Sequence, residues 1–276
     1  MPLPPSFTFA QSSLQDFTEC KRRFQLRYLD RLAWPAMESE PAQQHEDHLQ
    51  QGARFHQLVQ QHQLGLPIER LTALVMDETL QRWWDNYLAH PIRDLPAQRL
   101  TETLLAAPLA GYRLLAKYDL LAVEPGRAVI VDWKTSQPHA KRPKPDSLLN
   151  RLQTRVYRFI LIEAGAHLNN GTPFEPEQVD MIYWFAEFPE QPYRFPYTSA
   201  QYHADREALQ TLIEEIQGLE PSQFTLTPQE KNCVFCRYRS LCERGIRGGT
   251  FTEWEAEADD LFQFDIDLEQ IMEIEF

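Results

Sequence analysis

Residues 114–137, LLAKYDLLAVEPGRAVIVDWKTSQ, place acidic residues where β-strands normally avoid them, and this limits what the chain can fold into. Pro125-Gly126 is a turn signal between two apolar runs, Ala122-Val123 before it and Ala128 to Val131 after it, so the segment reads as a β-hairpin. With these two residues as the loop, Glu124 faces Arg127, and further out along the strands Asp119 faces Asp132. Directly opposed side chains in an antiparallel pair lie roughly 5 Å apart, and like charges there are destabilising. A hard divalent cation such as Mg²⁺ resolves the conflict, because it takes oxygen ligands and is commonly held by one or two carboxylates with water and phosphate. Side chains alternate along a strand, so Lys134 shares a face with Asp132 while Trp133 points the other way. A leading L-proline does not suit the primed turns that hairpins favour, so a bulged or longer loop is also open at Pro125.

An Asp, a turn, then Asp132-Trp133-Lys134-Thr135 after an apolar run resembles the PD-(D/E)XK nucleases, particularly the RecB-like branch, where this stretch often reads D-x-K-T. The resemblance implies an α/β fold with a mixed central sheet flanked by helices, the restriction-endonuclease-like core, here with an N-terminal helical insertion at about residues 37–96. It also implies catalysis by Asp119, Asp132 and Lys134, with Mg²⁺ or Mn²⁺ held by the two aspartates, the Trp133 carbonyl and a histidine.

Charge first argues against a nucleic-acid partner: the chain of 276 residues carries a net charge of -13. The distribution removes most of that objection. Residues 252–276 hold ten acids and no Lys or Arg, and so account for ten of the thirteen excess negative charges. Elsewhere Lys21, Arg22, Arg23, Arg27 and Arg31 cluster near the start, and Lys141, Arg142, Lys144, Arg151, Arg155 and Arg158 follow the hairpin. No apolar run approaches the roughly 20 residues of a membrane span, and the N-terminus lacks a basic-then-apolar leader, so a cytoplasmic protein with no membrane partner is expected. The acidic tail, 251–276, is interleaved with large apolar residues such as Trp254, Phe262 and Ile271, unlike a purely solvating tail. It is expected to dock, on a protein partner or back over the basic groove.

From the start of the chain, Ser12-Ser13 and the spacing of Leu14, Phe17, Phe24 and Tyr28 predict a capped helix carrying Cys20. Its sequence resembles the opening of RecB-like and CRISPR-associated nucleases, with Lys21 where they have proline. The next helix carries Gly52 and His56, whose Gly-x-x-x-His spacing resembles the family's metal-proximal histidine. Residues 71–90 predict one further helix, with Trp83-Trp84 as core. RLTETLLA predicts a strand, and the resemblance makes its Glu102 a further acid of the site. After the hairpin, a helix over 147–165 carries Gln153 and Tyr157 one turn apart, resembling the DNA-contacting Gln-x-x-x-Tyr motif. Strands at 179–186 and 193–197 and a helix at 201–217 complete the core.

Cys20, Cys233, Cys236 and Cys242 are the four cysteines, three of them spaced Cys-x2-Cys-x5-Cys. Four thiolates suit structural zinc or an iron–sulfur cluster equally. One N-terminal cysteine with that C-terminal triplet resembles the iron–sulfur nucleases of the CRISPR-associated and AddB types, which implies a 4Fe-4S cluster. The expectation is thus a domain over residues 1–250 that cleaves DNA, as an exonuclease on single-stranded ends in repair, recombination or CRISPR adaptation. A non-catalytic nucleic-acid-binding module and a zinc-stapled protein-interaction scaffold are the competing readings.

Overall fold

The computed structural model describes residues 3–32, 40–136, 141–234, 236, 238–246 and 248. The acidic tail expected at 251–276 lies outside them. In chain order the elements are β1 (Thr8–Ala10), α1 (Gln11–Glu19), α2 (Lys21–Phe24) continued by a π-helical turn (Gln25–Leu29), α3 (Glu40–Gln63), α4 (Ile68–Thr72), α5 (Glu78–Ala89), β2 (Gln98–Leu109), β3 (Tyr112–Glu124) and β4 (Arg127–Lys134). There follow α6 (Pro145–Leu149), α7 (Leu152–Ala164), β5 (Val179–Phe185), β6 (Tyr193–Pro196), α8 (Ser199–Gly218) and α9 (Lys231–Val234). Among the described residues no helix is long and apolar enough to cross a membrane.

The six strands form one mixed sheet in the order β1-β3-β4-β5-β6, with β2 on the other edge of β3. β1 and β5 run parallel to β3 and β4 respectively, and the remaining pairs are antiparallel. This is the expected α/β class. β3 shares one edge between two neighbours: β1 pairs with Arg113 to Leu115, and β4 with Leu120 to Glu124. Between those two pairings the edge of β3 is open, and Asp119 lies in the opening.

The hairpin keeps the two-residue register, Glu124 opposite Arg127, although its turn begins with proline. Pro125 followed by Gly126 at φ 77° is the residue combination of a type II turn, which a glycine tolerates at its second position. Register is pinned elsewhere. Slipping by one residue would move Leu120, Ala122, Val129 and Val131 out of the core they share, and every side chain would change face. Gly126 N also donates to Asn169 Oδ1 at 2.9 Å, which ties the turn to the end of the following helical segment.

Each sheet face has its own core. On one, α1, α7 and α8 pack over Leu114, Ala116, Tyr118, Ile130, Met181 and Tyr183. A buried network joins α7 to α8 there: Arg158, 1% exposed, reaches Asp205 at 3.3 Å, which also accepts from Tyr197 Oη at 3.0 Å. On the other face α3 and α5 contribute Phe55, Leu58, Trp83, Trp84 and Tyr87 against Val129, Val131, Trp133 and Trp184, with Phe55 and Trp184 stacked at 6.0 Å. Burying each such side chain contributes roughly 1.5–3 kcal/mol. Two polar groups at this seam are satisfied, Trp83 Nε1 donating to Glu187 and Asn86 Nδ2 to the Ala186 carbonyl, whereas the buried Trp133 Nε1 has no hydrogen-bond partner among the described residues.

Three helices differ from expectation in a physically readable way. The single helix expected over 71–90 is two, because the Asp77 side chain accepts from Leu80 N at 2.8 Å and starts α5 afresh. The one expected over 147–165 divides at Asn150-Arg151 into α6 and α7, Arg151 being extended. Cys20 does not lie within a helix: its extended backbone (φ −161°, ψ 108°) separates α1 from α2. Ser13 braces α1 from inside its first turn, accepting from Ala10 N at 3.0 Å. β1 was not expected; three residues are too short for a periodic signal.

Replacing Gly126 with alanine puts a Cβ into a left-handed backbone conformation, which costs about 1–2 kcal/mol. Urea denaturation followed by circular dichroism should show that loss, and an unchanged midpoint would argue against this turn.

Candidate active site

β2 and β3 both change face at one level. On β3, Leu114, Ala116 and Tyr118 belong to the α7 side, and beyond Asp119 it is Leu121 and Val123 that do. The pairs Thr101–Leu120 and Thr103–Tyr118 are formed on either side of this level, but Glu102 and Asp119 between them do not pair. Glu102 has φ 52°, a left-handed conformation unusual for a non-glycine residue in a strand. The kink lets Asp119 turn its side chain along the sheet, where Oδ2 accepts from Trp133 N at 3.0 Å. A side chain thus takes the place of the backbone partner that β3 would otherwise supply to β4. Residues of a strand alternate edges, and the Lys134 carbonyl is used by Ala186 N on the β5 side, so the Trp133 carbonyl points to the Asp119 side.

Asp132 and Lys134 project together beneath α7. Lys134 Nζ lies 2.7 Å from Asp132 Oδ2 and donates to Gln153 Oε1 at 2.8 Å, while Gln153 Nε2 donates to Asp132 Oδ1 at 2.7 Å. The three side chains close a ring. Only one orientation of the Gln153 amide satisfies both charged partners. All three are buried: Asp132 is 3%, Lys134 8% and Gln153 4% exposed. The Lys134 ammonium also lies 5.5 Å from the centre of the Tyr183 ring. Tyr157, one turn after Gln153, is buried against Tyr118, whose hydroxyl donates to the Tyr157 carbonyl at 2.8 Å.

Electrostatics distinguish the two aspartates. Burial drives the Asp132 carboxyl up to about 6, with Asp119 adding to the rise and Lys134 opposing it. Burial would also raise Asp119, but the His56 imidazole, 3.5 Å away, and Lys134 hold it below the usual carboxylate range. The same contact raises His56, against a burial that would lower it. His56 comes from α3, on the opposite side of the sheet from α7, so the site is assembled where the two layers meet at the opening in β3.

Of the residues expected at the site, Asp119, Asp132, Lys134, Gln153 and His56 are brought together by these contacts. Glu102 lies at the level of Asp119 but is ion-paired with Lys117 on β3. Lys117 was not expected; its place two residues before Asp119 was the available signal. The buried floor of Tyr118, Tyr183 and Thr154 was also missed, since apolar-looking tyrosines in a core pattern carry no separate mark. Much of the basic cluster near the chain start is occupied in ion pairs: Lys21 with Glu215, Arg23 with Asp16 and Glu19, Arg27 with Asp16.

Two carboxylates and a carbonyl at one opening suit a hard divalent cation. Among the described residues no three His, Cys, Asp or Glu side chains form a ready metal cage.

Cys20, Cys233, Cys236 and Cys242 line a single pocket with Arg23, Arg239 and Arg244. The chain ends are joined there by protein contacts as well: Phe24 stacks on Phe224 at 6.1 Å, and Asn232 Nδ2 donates to the Glu19 carbonyl at 3.1 Å. Burial raises the Cys236 and Cys242 thiols, and their neighbouring cysteines add to the rise.

Compared with curated proteins by sequence, the chain has no match. Among solved structures, the fold is similar to that of a candidate exonuclease from Eubacterium rectale, with 12% identity, a TM-score of 0.51, and 86% of this chain and 88% of that one covered. A second structure, SSO0001, covers 86% and 85% at 13% identity, with a TM-score of only 0.39. The sequence profile of the PD-(D/E)XK nuclease superfamily matches residues 8–243, nearly all of the described chain, and the chain belongs to that superfamily.

Proposed function

We propose that this protein is a divalent-metal-dependent DNA nuclease, an exonuclease acting on single-stranded ends. The observation that carries this reading is the convergence of Asp119, Asp132 and Lys134 at the opening in β3, with Gln153 fixing the last two. Asp119, Asp132, the Trp133 carbonyl and His56 would hold Mg²⁺ or Mn²⁺. Bound there, the ion supplies a more acidic water and polarises a phosphoryl oxygen. Lys134 orients the attacking water and stabilises charge developing on the phosphate. Gln153 keeps that ammonium aimed, and with Tyr157 is the candidate for positioning the strand. Glu102 remains a candidate acid once Lys117 is satisfied by phosphate. Exposed Lys141 and Lys144, on the segment after β4, suit the approach of a polyanion.

The four cysteines, in the same reading, hold a 4Fe-4S cluster. Around such a cluster each thiolate binds a different iron, so the four need not converge on one point, whereas zinc requires a single tetrahedral centre. The four cysteines lining one pocket are the thiolate set that such a cluster takes. The domain over 1–250 would carry the chemistry in the cytoplasm, with 251–276 as a docking tail.

Three outcomes test this function. End-labelled single-stranded DNA should be degraded with Mg²⁺ or Mn²⁺ and not with EDTA, and Asp132→Asn or Lys134→Ala should lower the rate by roughly 100-fold or more without unfolding the protein. Full activity in both variants would reject the site, and DNA binding without cleavage by the wild type would favour a binding module. Gln153→Ala should reduce kcat by about tenfold with KM nearly unchanged, as expected when a group acting only in the transition state is misaligned; a change confined to KM would instead make Gln153 a direct strand contact. Deleting residues after Gly249 should tighten DNA binding, most at low salt, if the tail folds back as a phosphate mimic. Affinity independent of the tail across a salt series would leave docking on a protein partner.

A further inference from the structure

The cysteine pocket holds cationic groups as well as thiols. Arg23 and Arg244 are fixed by partners of very different strength. Arg23 is closely neutralised, its Nε 2.7 Å from Asp16 Oδ1 and a second nitrogen on Glu19, with all three side chains mostly buried. Arg244 is held differently. Its Nη1 donates to the Thr227 carbonyl at 2.7 Å and lies 3.6 Å from Cys233 Sγ, while Nη2 is 3.3 Å from Glu230 Oε1. Glu230 is 69% exposed, so water weakens its pull without cancelling it, and the Arg244 side chain, at 21% exposure, keeps part of its positive field on the sulfur. Arg239 lines the same wall, anchored through Nη1 to the Val234 carbonyl at 2.8 Å.

A thiolate-ligated iron–sulfur cluster gains one negative charge when it accepts an electron, and its reduction potential depends on net charge, hydrogen bonds to sulfur and exposure. A cation in contact with a ligand sulfur favours the more negative, reduced state. We propose that Arg244 is a redox-tuning residue, which raises the potential of the cluster through its contact with Cys233 so that a low-potential one-electron donor can reduce it. The inference rests on the cluster reading above, and it gives the pocket a redox activity in addition to joining the chain ends. Glu230 sets the strength of the effect, because it draws on the same guanidinium from the solvent side.

The test uses the full chain, purified anaerobically, reconstituted with ferrous iron and sulfide, and titrated with dithionite while absorbance and electron paramagnetic resonance are followed. Arg244→Gln should lower the midpoint so that the oxidised-to-reduced ratio at the wild-type midpoint rises about tenfold, or ~59 mV for one electron. Arg244→Lys keeps the charge and should recover much of the shift. Glu230→Gln, at an exposed position that does not threaten folding, should move the midpoint the opposite way. Coincident midpoints in wild type, Arg244→Gln and Glu230→Gln would overturn the role of Arg244 while leaving the cluster in place. Should Arg244→Gln fail to load iron, an unmoved midpoint in Glu230→Gln would overturn it alone. Wild-type protein that takes up zinc but neither iron nor sulfide would overturn the cluster reading and this inference together.

Discussion

A β-strand edge can be completed by only one neighbour at each level, and β3 divides its edge between two. β1 uses the beginning and β4 the end, because one arrives parallel from the N-terminus and the other returns antiparallel through a two-residue turn. Neither can cover the interval between them. Backbone groups left open there need other partners, and the kink at Asp119 supplies one by turning a carboxylate toward Trp133 N. The same opening that costs a ladder hydrogen bond admits a histidine from one layer and looks onto a lysine and a glutamine from the other. The candidate chemistry is therefore a product of how the sheet closes.

Burying Asp132 with Lys134 is eased by Gln153, which accepts from the ammonium and donates to one carboxylate oxygen. Two opposite charges taken from water lose hydration, and their attraction returns it only with good geometry and satisfied remaining groups. Gln153 meets the second condition at Lys134 and at Asp132 Oδ1, while Asp132 Oδ2 has only the charge of the ammonium 2.7 Å away and no aligned hydrogen bond among the described residues. Asp119 has no such enclosure. It depends on a backbone N–H and an imidazole, which leaves it the more adaptable of the two carboxylates.

The sequence was most legible where periodicity and turn chemistry agreed. The hairpin register could be read from Pro125-Gly126 and the alternating apolar residues, but the ladder ends at Leu120–Val131, so the expected facing pair of Asp119 and Asp132 does not form and Asp119 turns to Trp133 N instead. The strands at 179–185 and 193–196 and the helix after them could be read for the same reason. Helix breaks were less legible, since Asp77 and Arg151 stop a helix by single-residue conformations that an apolar stripe runs straight across. The position of Glu102 was visible as a strand acid, but its left-handed backbone and its partner Lys117 depend on a kink shared between two strands, which no local window contains. Gln153 was noticed by spacing and by resemblance; its bridging of Asp132 and Lys134 depends on how α7 crosses the sheet, a tertiary fact.

The packing of Trp133 has a consequence for modularity. Its backbone holds Asp119, while its indole lies in the aromatic core made with α3 and α5. By position in the chain, α3 to α5 look like a detachable accessory that could be trimmed to leave a minimal core. Here trimming would bare Val129, Val131, Trp133 and Trp184 as a continuous apolar sheet face and remove His56 with the same cut. The sheet and the helices over 40–89 therefore stand or fall as one packed unit.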